Sequence, residues 1–301
     1  MSQAVGEIAS VGAAVMWAGA LCTFRAFGYG VHATTLNVFK NGLALVLCVL
    51  TWALLRPALP ASQEQYVWLL VSGVIGFVVG DTTLFASLRL LGARLAALLQ
   101  CLFAPVTVIL GWVTLGEELR GLKLLGVIVT VTAVIGVLRL GKEQSRALED
   151  LPRSQLLLGI FYGVVTALTL AVAMVIARPI MQDVGVVVGT AVRLFPAIVI
   201  LGPYELWRGH RTGFTSLAFL RNPKQVAALA IATFFGTYLG VLLMTAGIKY
   251  AHTAGVAATL NATFPVWILP IAATFLGERT GVKEILLTVV AVFGVALVTL
   301  G

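Results

Sequence analysis

Apolar runs of about twenty residues recur along almost the whole chain, separated by short polar segments. Ten can be marked, near 6–25, 34–55, 66–88, 93–115, 121–140, 156–177, 186–207, 225–248, 253–276 and 282–300. A hydrocarbon layer about 30 Å thick is crossed by roughly 20 apolar residues in a helix. Each run therefore predicts one transmembrane helix, spans one to ten, and the fold class expected is an all-α polytopic membrane protein. Two polar interruptions are longer than the rest: RLGKEQSRALEDLPRSQ at 139–155 and RGHRTGFTSLAFLRNPKQ at 208–225. The counterpart of the second, RPALPASQEQ at 56–65, is shorter.

The pattern occurs twice. SLRLLGARLAALLQCLFAPV at 87–106 aligns with GIKYAHTAGVAATLNATFPV at 247–266, and TLGEELRG at 114–121 aligns with FLGERTGV at 275–282. A shift of 160 places Gly76 on Gly236, Gly80 on Gly240, Arg89 on Lys249 and Pro105 on Pro265. A shift of 153 places Gly6 on Gly159, Arg25 on Arg178 and Lys40 on Arg193. Two units follow, 1–142 and 152–301, joined by a linker at 143–151. Five spans per unit is an odd number, so the second copy enters the membrane in the opposite sense. That predicts inverted five-helix repeats, with a site at their interface that opens to alternate sides as one rocks against the other.

Composition changes the picture only by removing alternatives. The chain is 60% hydrophobic and 11% charged, with mean hydropathy +1.03, where soluble domains carry about 25% charged residues. The net charge of +8 does not imply a nucleic-acid partner. The basic residues sit at span ends and in loops, where anionic lipid accounts for them. Cys22, Cys48 and Cys101 lie inside apolar runs without C-x-x-C spacing and read as buried free thiols. The first run lacks a positive leader, which argues against a cleaved signal peptide. If the N-terminus lies on one side, the loops there hold about five basic residues against about thirteen opposite, which would place both termini outside.

Pro105 through Leu115-Gly116-Glu117 and Pro265 through Leu276-Gly277-Glu278, with Lys40 and Arg193 early in the second span of each copy, resemble the EamA-type permeases of the drug/metabolite transporter superfamily. The resemblance covers nearly the whole chain. It implies ten helices, a central cavity between the copies lined by spans one, three, four, six, eight and nine, and movement of small metabolites, often amino acids, outward from the cell. It also implies termini inside, against the charge count, and orientation stays open.

The residues themselves suggest where such a cavity would be lined. Asp81 is an acid inside span three with Phe77 and Phe85 one turn away on its face, and its counterpart at a shift of 160 is Val241. A buried carboxylate needs a counter-charge or a proton. Lys40 and Asp81 both lie roughly 10 Å deep from the same side, which makes Lys40 the expected partner and Arg25 its rival. The readings open at this point are a structural pair and a substrate- or proton-linked acid. Trp17, Gln100, Tyr162, Tyr238 and Asn261 are the further pocket candidates. Pro105 and Pro265 each remove a backbone donor and predict helix kinks. Gly76-x-x-x-Gly80 and Gly236-x-x-x-Gly240 predict close helix contacts. Glu117 and Glu278, beside Arg120 and Arg279, read as interfacial caps. Trp267 fits a lipid-facing position, and His252 an interface.

These features favour a secondary transporter acting by alternating access, which the resemblance implies to be an exporter of small metabolites such as amino acids or amine-containing compounds. A channel or lipid scramblase would call for a continuous polar stripe, and only scattered polar residues occur. An intramembrane enzyme would need a catalytic constellation, and His32, His210 and His252, the three histidines, lie near helix ends or in loops. No Walker A motif, metal site or cofactor motif is present. The partners expected are a small-molecule substrate and the lipid bilayer. A monomer should suffice for transport, with higher oligomers open, and the bacterial inner membrane is the expected location.

Overall fold

The computed structural model describes residues 2–56, 59, 62–116, 121–144, 152–212, 218–277 and 281–300. Among these no strand occurs, and the helices are α1 (Ser2–Phe27), α2 (Ala33–Leu55), α3 (Gln63–Gly73), α4 (Asp81–Leu99), α5 (Phe103–Leu115), α6 (Leu122–Gln144), α7 (Arg153–Met181), α8 (Val186–Thr212), α9 (Pro223–Ala232), α10 (Gly240–Tyr250), α11 (Ala254–Asn261), α12 (Phe264–Phe275) and α13 (Val282–Leu300). All ten apolar runs are helical. Seven described helical stretches are long and apolar enough to cross a membrane. The longest, Gln63–Leu115, has 53 residues and contains two of the predicted spans. Two shorter apolar helices, Leu122–Gly136 and Ile285–Leu297, complete the set. Glu117 and Glu278, with Arg120 and Arg279, lie outside the described residues, as does most of the linker.

The long stretch turns at Gly92, with φ 81° and ψ 175°. That conformation is open almost only to glycine. It is why α4 belongs to span three on one side of Gly92 and to span four on the other. Gly92→Ala should cost about 1–3 kcal/mol, seen as a lower thermal midpoint in detergent; an unchanged midpoint would contradict the strain.

Spans three and eight are not continuous α-helices. A π turn, Val74–Gly80, joins α3 to α4, and a second, Thr233–Leu239, joins α9 to α10. Corresponding caps start both spans: the Ser62 side chain accepts from the Gln65 amide, and that of Asn222 from the Gln225 amide.

Contacts between the halves come in exchanged pairs. Gly76 packs on Ala173, and Gly236 on Ala20. Gly80 lies against Leu170, and Gly240 against Trp17. Gly159 meets Leu91, and Gly6 meets Ala251. Arg25 donates to the carbonyls of Leu88 and Arg89, and Arg178 to those of Ile248, Ala251 and His252. The glycine contacts follow the shifts of 153 and 160 with the halves swapped, and so does one carbonyl of each arginine, Leu88 for Arg25 and Ile248 for Arg178. Alanine and glycine at these crossings let backbones approach closely, the contact available to helices that have no hydrophobic driving force between them in lipid. The outer surface is apolar: Ile8, Leu54, Phe161 and Phe293 are exposed, and Trp267 also faces outward.

Candidate functional site

One face of α2 is both buried and polar. Asn37, Lys40 and Asn41 sit at helical spacing on that face and are buried. The Asn37 amide donates to the Phe77 carbonyl at 2.7 Å and to the Thr82 hydroxyl at 2.9 Å, occupying a carbonyl within the first π turn that lipid could not satisfy. Asn41 donates to Asn37 Oδ1, and Lys40 Nζ donates to Asn41 Oδ1 at 3.3 Å. Lys40 Nζ also lies 2.5 Å from Asp81 Oδ2. Asp81 is the first residue after the π turn, and its backbone N–H bonds to the Gly76 carbonyl, five residues back. The π turn thus sets the direction of Asp81; such turns are frequent at functional sites. Arg25, the rival partner, is engaged by carbonyls instead.

Lys40 and Asp81 border a cavity of about 60 Å³ between the halves of the chain. Trp17, Leu21 and Phe24 line it from α1, Leu84 and Phe85 from α4, Phe77 and Thr237 from the two π turns, Met244 from α10 and Phe264 from α12. Trp17 and Phe264 meet edge to face, with centroids 6.5 Å apart. Spans two and seven also reach the cavity, through Lys40 and Arg193, which corrects the six-span lining expected from the resemblance. The physical reason is side-chain length: long basic residues carry a charge inward from helices whose backbones stand behind the wall.

Gln100 lines the cavity from a 3-10 turn, Gln100–Leu102, between α4 and α5. Pro105 cannot donate to the carbonyl four residues back. It sits in the first turn of α5, directly after the 3-10 turn that interrupts the α-helical pattern of this long stretch. Pro265 similarly lies in the first turn of α12, just after Phe264. At Pro105 the helical pattern changes without a break, while at Pro265 the helix restarts after a turn, and Phe264 beside it lines the cavity.

Three pocket candidates are not among the lining residues. Tyr238 lies within the second π turn, and its hydroxyl is 2.6 Å from that of Thr51. Its neighbour Thr237 takes the cavity position, equivalent to Phe77. Tyr162 is half-buried beside Phe161. The lining residue of its helix is Leu170, eight residues farther along, or roughly 12 Å. Asn261 is buried at the end of α11 with its Nδ2 unpartnered, and Phe264 fills the cavity side after the turn.

The EamA-like transporter family matches residues 4–139 and, a second time, residues 157–300. The chain belongs to the EamA-like transporter family. It is similar to an uncharacterized transporter of Archaeoglobus fulgidus, 23% identical over 275 residues that cover 90% of this chain and 89% of that protein. It is also similar in fold to a protein solved as a crystal structure, with TM-score 0.76 and 15% identity, over 100% of this chain and 97% of the other. The likeness to that structure concerns the fold alone. Family and apolar helices together make this an integral membrane transporter.

One cluster in this EamA-like chain escaped the sequence reading. Glu205, buried on α8, accepts from Thr34 and, at 2.7 Å each, from Thr35 and Arg208. Its signal was available: a carboxylate near the end of an apolar run with an arginine three residues on. His32, in the turn before α2, contacts Thr34 at 2.7 Å and lies 3.9 Å from Glu205. Burial, then the positive charge of Arg208, lowers its pKa below the ordinary 6.5. A depressed histidine contributes stability that is fully present above its unfolded value and is lost as pH falls through the folded one. The thermal midpoint should therefore drop on acidification below pH 6.5, and by less in His32→Gln; identical acid profiles would remove His32 as a cause.

Proposed function

We propose that this chain is a secondary transporter that exports small metabolites by alternating access, as a monomer, in the inner membrane of a bacterium. In this reading all ten apolar helices cross the bilayer, and residues 1–142 and 152–301 form inverted five-helix repeats. The exchanged contacts, Gly76 on Ala173 against Gly236 on Ala20 and their companions, support it: swapped partners are what a two-fold axis between the copies produces. The observation that carries the function is the cavity between the halves with charged side chains in its wall. Charges in a bilayer interior are costly and mark substrate or ion paths. The wall is otherwise mostly apolar, which favours a binding site over a channel's water-lined pore.

Of the substrates named from sequence, a simple amine would need Asp81, and Lys40 already holds that carboxylate. An amino acid, or another metabolite with an acidic group, keeps a partner in the cavity. A metabolite uptake and efflux screen in proteoliposomes, with and without a pH gradient, tests the reading. Saturable flux with acceleration by substrate on the far side is expected. Flux that neither saturates nor shows counterflow would indicate a channel.

A further inference from the structure

The charges around the cavity do not balance. Lys40 and Asp81 cancel each other at 2.5 Å. Arg193 also lines the cavity and is 1% exposed. Its Nε donates to the Ser72 hydroxyl at 3.1 Å, and Ser72 in turn donates to the Ala173 carbonyl at 2.7 Å. Its guanidinium carbon sits 5.3 Å from the centre of the Phe77 ring, while Lys40 Nζ sits 5.9 Å from that same ring. Ser72 thus holds one side of the fork, and neither a hydroxyl nor a ring removes a full positive charge. Nη1 is buried with no partner. Among the described residues no carboxylate lies within salt-bridge distance of Arg193. Gln100, on the same cavity, has both its side-chain oxygen and nitrogen buried without a partner.

The imbalance has a position in the repeat. Lys40 and Arg193 correspond at a shift of 153, but Asp81 corresponds to Val241, which also borders the cavity. The second half therefore keeps the cation and drops the acid. An arginine fork with unused donors suits a planar carboxylate, and an unpaired charge in lipid calls for an opposite one.

We propose that the cavity binds a small organic monoanion, its carboxylate on Arg193 with the Gln100 amide as a second donor, and its apolar body against Trp17, Phe77 and Phe264. One unmatched positive charge suits one negative charge: a cation would add a third positive group beside Lys40 and Arg193, and a dianion would overshoot. The proposal rests on the transport reading and names the substrate class of that site.

The test is isothermal titration of the full chain in lipid nanodiscs with two matched series. One is 3-phenylpropionate, phenylalanine and phenethylamine; the other, smaller, is butyrate, 2-aminobutyrate and propylamine. Within at least one series the carboxylate should bind on the order of tenfold tighter than the amine and at least as well as the zwitterion. Arg193→Gln should weaken carboxylate binding by about tenfold or more, and Gln100→Leu should weaken it without changing expression. The ligand series decides the matter in the unaltered protein, even where Arg193→Gln fails to fold. Amine binding equal to or tighter than carboxylate binding would overturn the proposal, as would a clear preference for the zwitterion or no carboxylate binding in either series. If an amine binds and crosses liposomes, the anion assignment falls and the transport reading stands. If the flux screen finds no transported compound while carboxylates bind, the transport reading falls and the anion site stands.

Discussion

Asp81→Asn is expected to lower folded yield and thermal midpoint by more than any other single polar change in the cavity wall. Both members of the pair are buried, Lys40 at 5% and Asp81 at 7% exposure. Removing one member of such a pair costs about 3–5 kcal/mol, because the survivor is left as an uncompensated charge. Here the survivor would be Lys40, with Arg193 near the same phenylalanine ring, so two positive charges would share a small cavity. The companion variant separates charge from shape: Lys40→Met together with Asp81→Leu removes both charges and should recover much of the loss, since replacing a buried pair by apolar residues is often close to neutral. Fluorescence-detected size exclusion and thermal unfolding measure both. Equal stability of Asp81→Asn and the unaltered chain would mean that Asp81 does not serve Lys40, leaving a proton- or substrate-linked role, which pH-dependent flux in liposomes would then reveal. Normal stability and normal pH-responsive flux together would remove both roles.

Gly73→Ala should be the most damaging glycine substitution at the interface of α3 with α8. A Cβ there would run into the backbone of Arg193, meeting its carbonyl oxygen and lying 2.9 Å from its carbonyl carbon. Backbone cannot rotate aside as a side chain can, so the helices must separate. Overpacking of this kind costs about 1–3 kcal/mol and occasionally more. It would also displace Arg193 relative to Ser72, so carboxylate binding should fall along with the midpoint. Gly202, on the same helix as Arg193, has nothing within 4 Å of an added Cβ, and Gly202→Ala should instead be neutral or stabilise by about 0.5–1 kcal/mol. The contrast in sign is the test. A neutral Gly73→Ala would show that α3 and α8 do not touch as closely as described.

Much of the fold was legible because lipid imposes a length and a polarity on every helix. The site was legible where charge broke the apolar pattern: Asp81 and Lys40 stand out because a charge in hydrocarbon must be compensated. Arg193 is equally visible as the counterpart of Lys40, but the position matching Asp81 is Val241, so no acid there marks Arg193 as facing a cavity. Polarity alone misled for Tyr162, Tyr238 and Asn261. It marks a residue that needs a partner but does not say which way the residue faces. Tyr238 shows the physical cause most clearly, since the π turn that carries it departs from the helical period on which any facing argument depends. The Glu205 cluster was passed over for the opposite reason: near a helix end a charge looks inexpensive, and only the tertiary contact with Thr34 and Thr35 shows that it is enclosed.

The π turn before Asp81 also works as slack. It contains one residue more than the α-helical turn it replaces, so span three can tighten locally while its two ends stay where the bundle holds them. Passing that surplus residue along the helix, a peristaltic movement, would swing each side chain it crosses by about 100°. The first acidic side chain in its path is Asp81, so the grip of the carboxylate on Lys40 becomes a matter of where the surplus residue sits. Deleting Val79, one of the seven residues of the turn, removes the surplus. It should leave a straight, stable helix with flux arrested, and a deletion variant that still transports at the normal rate would show that the slack is never taken up.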